Sequence, residues 1–338
     1  MFDKLQALSA EGRRPHLSQL VIWGLVYIGC RRTYTSLPAD NRAPSEIASV
    51  FSFLPNEILT NPLVFESLRW VLPIAGVLWS LHVLTPLSSW LTVVSFTGVV
   101  ALYYENSSHI AHTYNLAVLV LLVHAGWYHF RRREIGAAIK SGTFWESTLY
   151  PGWVFHLSVL CIAVFHTYAG LSKLWVSGFG WANGQSLQLW IHLWGVDSGL
   201  KEFLLSNRTA AMGLQVATLV LESCAVLAII STPWRWAVGV ALMGLYLGIL
   251  ATFNFNFQYN ALIVALFFLP AYTVLNWLFE RIQSVPRLTL RFRRQSGLYS
   301  VLRWLRNRVD ILGVFDVRLD DEAFTSVRED QSQPAREE

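Results

Sequence analysis

Residues 151–175 read PGWVFHLSVLCIAVFHTYAGLSKLW, and Lys173 is the only Lys, Arg, Asp or Glu between Glu146 and Asp197. A helix needs roughly 20 apolar residues to cross a bilayer, so this run is long enough to span. Similar runs recur along the chain. Over 338 residues, 54% are hydrophobic and 14% charged, against about 25% charged in soluble domains. The sequence therefore belongs to an integral membrane protein, an all-α polytopic transmembrane helical bundle.

Spans are expected near 16–30, 69–84, 88–104, 111–130, 152–175, 209–231, 234–253 and 257–279, about eight in all. The segment Trp181–Leu205 is too short on its apolar side to cross and too aromatic to be a free loop, so it reads as an interfacial or re-entrant helix. Residues 1–280 form the membrane domain and 281–338 a tail, basic and amphipathic to about 310 and acidic beyond 315, where Asp320, Asp321 and Glu322 stand together. The basic part is expected to lie on anionic lipid. Arg131, Arg132, Arg133 and Lys140 between two spans, and eight arginines between 281 and 308, place both regions and both termini in the cytoplasm by the positive-inside bias. The protein is then a multi-pass protein of the plasma or inner membrane. The loops at 103–110 and 178–208 face outward. Arg31 and Arg32 follow the first apolar run at once, so that run is read as an uncleaved anchor rather than a signal peptide.

The chain carries no Walker loop, dinucleotide glycine fingerprint, HExxH or GxSxG pattern, and nothing points to nucleic acid. Cys30, Cys161 and Cys224 lie in or at the end of apolar segments with no metal spacing, and read as small apolar fillers. His109 and His112 are spaced HxxH, but no cysteine joins them, so no metal is assigned.

Against that background Lys173 stands out. An ionisable group in a span is expensive and marks a functional site by default; the alternative is a lysine snorkelling to the headgroups. His166 and Lys173 are seven residues apart and share one helix face. Ala169 and Gly170 lie between them and leave a shallow slot, open to a neighbouring helix or a flat ligand. His112, with Tyr114 beside it, lies at the outer start of the fourth span and is expected to meet Lys173 in one outer cavity. Glu222, the other intramembrane charge, sits about 20 Å into its span, close to the depth of His166. It is read as a partner for His166, part of a proton path, or a protonated acid bonded to a neighbouring helix. Apolar surroundings disfavour the charged form of an amine, which suits Lys173 to general-base work. An aromatic-lined slot with a base and a histidine suits a weakly acidic, lipid-soluble ring such as a quinol.

The stretch TYAGLSKLWVSGFGWANGQSLQLW, residues 167–190, resembles the signature of the HTTM family, the membrane domain shared with the vitamin K-dependent gamma-carboxylase. Ala169, Gly170, Lys173, Leu174, Trp181, Gly184, Ser186 and Leu187 carry the likeness. His112-Thr113-Tyr114 resembles the segment whose histidine lies against the vitamin K ring, and Glu222 resembles the family's intramembrane glutamate. The resemblance implies a reduced, vitamin K-like quinone, with Lys173 as the base that deprotonates it and His112 steadying its oxygen. It further implies oxygen addition and carboxylation of a glutamate. His166, Ala169, Gly170, Tyr114 and Trp181 would line the cofactor, with Glu222 behind them. Where many members carry a histidine in the seventh span, this chain reads LMGLYLGIL, and it ends in a tail rather than a large lumenal domain. The function expected is a quinol-dependent carboxylase-like enzyme or oxidoreductase acting on a peptide or small molecule. The alternative is a non-enzymatic maturation, export or immunity factor, or a small-molecule carrier.

Overall fold

The computed structural model describes residues 19–27, 55–59, 61–105, 114–144, 151–253, 257–270, 274, 281, 288–292, 295–309 and 315–319. The described chain is overwhelmingly helical. Helix α1 covers 19–27, α2 Pro62–Ser80, α3 Thr85–Glu105, α4 Asn115–Phe130, α5 Arg132–Ser141 and α6 Gly152–Ser177. Then follow α7 Gln185–Trp194, α8 Gly199–Ser206, α9 Arg208–Ser223, α10 Thr232–Phe253, α11 Gln258–Phe267 and α12 Gly297–Val309. Among the described residues, four helical stretches are long and apolar enough to cross a membrane: Pro62–Ser80, Thr85–Leu102, Gly152–Ala182 and Thr232–Phe253. The apolar helices α4 and α11 are shorter.

Local chemistry sets the helix ends. Asn61 caps α2 by accepting from Leu63 N–H at 2.9 Å, with Pro62 as the first helical residue. Asn207 caps α9 from Ala210 N–H at 3.0 Å. Gly142, in the left-handed region at φ 79°, closes α5, a position where a β-carbon is unwelcome. Inside α3, the Thr92 hydroxyl donates to the Ser88 carbonyl at 2.8 Å and Ser95 to Leu91 at 2.6 Å. The helix thereby satisfies its own polar side chains without water.

Pairwise contacts fix which ends lie together. Gln19 donates to the Ser80 carbonyl at 2.9 Å, so the start of α1 meets the end of α2. The α2–α3 turn places His82 beside Tyr128, near the end of α4, and Phe144. Asn307 of α12 donates to the Lys140 carbonyl at 3.3 Å. The two basic segments, α5 and α12, therefore share one end of the bundle. At that end the Arg235 guanidinium lies over the Phe155 ring at 5.2 Å, and eleven residues further along each helix Tyr246 meets His166; α10 thus runs parallel to α6. Tyr259 at the start of α11 packs on Tyr114 at the opposite end, ring centroids 4.9 Å apart. One continuous core joins α1, α4, α6, α10 and α11. Helix α2 keeps Leu63, Trp70, Ile74 and Val77 exposed, an outward apolar stripe that suits lipid.

Three features depart from the sequence reading. The expected span 209–231 is not one helix: α9 ends at Ser223, and Ala225–Ile229 is a 3₁₀ turn. Val226 N–H leaves the helical ladder to donate to Thr167 Oγ1 of α6 at 2.9 Å, which accounts for the break. The expected interfacial helix over Trp181–Leu205 is two helices, α7 and α8, parted between Gly195 and Ser198, where Val196 N–H donates to the Thr252 carbonyl at 2.9 Å. The tail also contains a parallel strand pair, β1 (Leu288–Phe292) with β2 (Phe315–Leu319), Leu288 opposite Phe315.

His82 has a left-handed backbone, φ 53°, and its Nδ1 lies 3.3 Å from the Tyr128 hydroxyl. Burial first, and the Arg308 guanidinium second, lower its imidazole from 6.5 to about 3. The unfolded chain takes up that proton near pH 6.5, whereas the folded chain resists until about 3. His82 therefore favours folding above pH 6.5, and this stability, on the order of a few kcal/mol, is lost progressively as the pH falls through that window. Asn tolerates the left-handed backbone and does not titrate. Thermal unfolding in detergent between pH 7 and pH 4 should show a shallower loss in His82→Asn than in the parent.

Candidate functional site

Lys173 lies four residues before the end of α6 at Ser177, so about 6 Å below that end. Its ammonium donates to the carboxylate of Glu222 on α9 and to the Ala169 carbonyl at 3.3 Å. It also sits over the indole of Trp181, 5.3 Å from the ring centroid. The two charged side chains are 25% and 11% exposed, so the pair is largely withdrawn from solvent but open along the lysine. Such a pair is costly to form and much costlier to halve, because removing one partner strands the other charge.

Helix α9 reaches Lys173 because Gly170 lets it. A β-carbon built at Gly170 would lie 2.5 Å from the Ser223 nitrogen and 2.9 Å from the Glu222 carbonyl carbon. The slot read between His166 and Lys173 is thus filled at Gly170 by a neighbouring helix. Ala169 stays half-buried beside it.

Glu222 is not at the depth inferred from its place in α9. The first two turns of α9 run alongside the strap Trp181–Ser186, beyond the end of α6. Gln215, buried, accepts from Gly184 N–H at 2.7 Å and donates to the Trp181 carbonyl and the Ser186 hydroxyl, both at 2.8 Å. Counting residues from Arg208 assumed that all of α9 crosses the membrane. With half of it outside α6, Glu222 rises to the level of Lys173, which is its partner in place of His166.

His166 is paired elsewhere. Its Nε2 and the Tyr246 hydroxyl of α10 lie 2.9 Å apart, with His166 only 3% exposed. Tyr246 stacks on Phe257 at 5.8 Å and 13° between ring planes. Two residues on, Tyr259 packs against Tyr114 and Phe96, so Tyr114 joins the same aromatic train. Five of the sequence-derived residues, Lys173, Ala169, Gly170, Trp181 and Glu222, thus meet directly. His166 sits two turns below Lys173, and Tyr114 belongs to the aromatic cluster. His109 and His112 lie outside the described residues.

Sequence reasoning missed Tyr246 and Gln215 as members of the arrangement, and it named Ser186 without giving it a partner. Tyr246 was visible as a hydroxyl in LMGLYLGIL, because a buried tyrosine seeks a hydrogen-bond partner. Gln215 was a polar residue in an apolar span, the same kind of signal.

Taken together, an ion pair, an aromatic face and a histidine–tyrosine pair occupy the end of the bundle away from α5 and α12. Tyr168, Leu171 and Trp175 lie exposed on the face of α6 opposite Lys173, and Phe179 is exposed just beyond the helix end. No family model matches the chain, and no curated protein or solved structure matches it either.

The pair's energetics are testable without a substrate. Lys173→Met and Glu222→Leu, each leaving the partner's charge uncompensated, should destabilise the purified protein by about 3 kcal/mol. Lys173→Met with Glu222→Leu should recover most of that loss. Additive losses in the thermal-unfolding cycle would mean that the two side chains do not interact.

Proposed function

We propose that the chain is a multi-pass membrane enzyme of the HTTM, carboxylase-like type, in which Lys173 acts as general base on a quinol. Eight crossings with both termini cytoplasmic are part of this reading. It is supported by the basic α5 and α12 lying together at one end, with Lys173 toward the other. The observation that carries the proposal is the Lys173–Glu222 pair under the Trp181 ring.

Such a pair has two forms in an apolar setting. One is ammonium with carboxylate. The other, reached by moving one proton along the hydrogen bond, is neutral amine with carboxylic acid. In the second form the lone pair of the Lys173 nitrogen accepts from the Glu222 O–H, and it becomes available once that O–H turns away, with Trp181 as a flat wall. A weakly acidic ring hydroxyl on that wall gives its proton to Lys173. The products are the Lys173 ammonium and the ring oxyanion it holds, with Glu222 still a carboxylic acid that can hydrogen-bond to that oxyanion. A bound quinol would supply the acidic hydroxyl and, with oxygen, the redox chemistry. The residues fit such a ring at Lys173, Trp181 and Ala169. His166 and Gly170 are enclosed by Tyr246 and α9, and act by fixing the helices that carry the pair.

The same pairing favours a second reading, in which Lys173 and Glu222 are a structural lock in a non-enzymatic membrane protein. Lysine-to-arginine replacement separates the two. Arginine keeps the charge and can pair with Glu222, but it does not release its proton near neutral pH. Lys173→Ala and Lys173→Arg should both abolish quinol-dependent oxygen uptake, at least 100-fold given the usual 10²–10⁴ contribution of a general base, that is about two orders of magnitude or more. Lys173→Arg should keep parental membrane levels and thermal stability. Activity retained in Lys173→Arg removes base catalysis and leaves the lock. Mass spectrometry of co-purifying lipids supplies an independent readout: a bound quinone is expected in the parent and depleted in Trp181→Ala.

A further inference from the structure

The tail helix α12 carries a second feature that the site chemistry does not use. Tyr299 and Asn307 are buried. Tyr299 packs on Phe292 of β1 at 5.7 Å, and Asn307 is seated at the end of α5, bonded to Lys140. At 100° per residue, Leu298, Val301 and Leu305 fall within about 60° of one another, on the side away from Tyr299 and Asn307. All three are exposed, and Trp304 flanks them. The Arg308 guanidinium lies beside the stripe, 4.4 Å from the Trp304 ring centroid, whereas Arg303 is on the other face and donates to the Tyr299 hydroxyl at 3.2 Å. Between 281 and 309 the sequence has eight arginines and no aspartate or glutamate.

We propose that this face of α12 is a docking surface for the anionic leaflet of the protein's own membrane. The apolar stripe would enter the headgroup boundary and the arginines would bind lipid phosphates. Two arguments select this occupant. Charge complementarity is complete over 29 residues, 281–309, which suits anionic headgroups. A contiguous Leu, Val and Leu stripe with a neighbouring Trp suits acyl chains and the interface, and has no counterpart in a nucleic-acid-binding face, where the basic surface meets phosphate and base edges. The helix is also held where a leaflet is within reach: Asn307 fixes it to α5, which follows α4 after the single residue Arg131. The role is anchoring and positioning of the tail, independent of any reaction at Lys173.

The test uses the full chain in lipid nanodiscs. The three native cysteines are replaced by alanine, and a nitroxide is placed at Val301→Cys on the stripe or at Ser300→Cys off it. Collision with oxygen against a water-soluble nickel chelate reports depth. In phosphatidylcholine with phosphatidylglycerol, the Val301 label should be oxygen-accessible and shielded from nickel, while the Ser300 label stays exposed to nickel. Replacing Arg308, the arginine beside the stripe, by glutamine should lower the inserted-to-aqueous ratio by about fivefold. Water-like accessibility of the Val301 label in anionic nanodiscs overturns the proposal. Equal insertion in pure phosphatidylcholine also overturns it, as does shielding by added RNA but not by anionic lipid.

Discussion

An ion pair inside an apolar bundle is tolerable only if both partners arrive together, and Lys173 with Glu222 dictates much of the local architecture. Helix α9 must come close enough for a carboxylate to reach an ammonium. That demands a residue without a β-carbon on α6, which is Gly170. Below the contact the α9 ladder breaks, and Thr167 takes up the freed Val226 N–H. Above it, Gln215 binds the strap that swings Trp181 over the lysine. Each of these polar residues would be a liability alone in an apolar setting. As a set they leave few orphaned groups.

The two ends of the molecule solve different problems. Around Lys173 the chain gathers the polar side chains of Glu222, Gln215 and Ser186 beside the Trp181 ring. At the other end it gathers arginines on α5 and α12 and a buried histidine in a strained turn. His82 is stabilised there by stacking on Tyr128 and edge contact with Phe144. The end that carries net charge is thereby separated by the length of α6 from the end that carries the ion pair. A 26-residue helix makes that separation about 39 Å.

Much of this was legible in the sequence. The apolar runs announced the helices because a span leaves a continuous signal about 20 residues long. Lys173 was legible as a lone charge, and Ala169 and Gly170 as a place of close approach. The partner of Lys173 was not, because depth was counted along α9 as though the whole helix crossed. Nothing local in RTAAMGLQVATLVLES says that its first half packs beside the strap. That information resides in Gln215, whose three hydrogen bonds to residues 29–34 positions away are a tertiary fact. The His166–Tyr246 pair was hidden for the same reason: its two side chains are 80 residues apart, and only the parallel alignment of α10 on α6 brings them level. The strand pair in the tail was missed because two five-residue segments leave too short a pattern to read.

The central claim is the alignment of α9 on α6 that sets Glu222 level with Lys173. Disulfide trapping in native membranes tests it directly, using Thr167→Cys with Val226→Cys in a chain otherwise free of cysteine. The Thr167 side chain and the Val226 backbone are in hydrogen-bond contact, so the pair should cross-link rapidly under mild oxidation. A deeper α9, with Glu222 beside His166, would carry residue 226 roughly two turns away from Thr167. Failure of 167 and 226 to cross-link, while each cysteine alone still reacts with a membrane-permeant maleimide, would contradict the account.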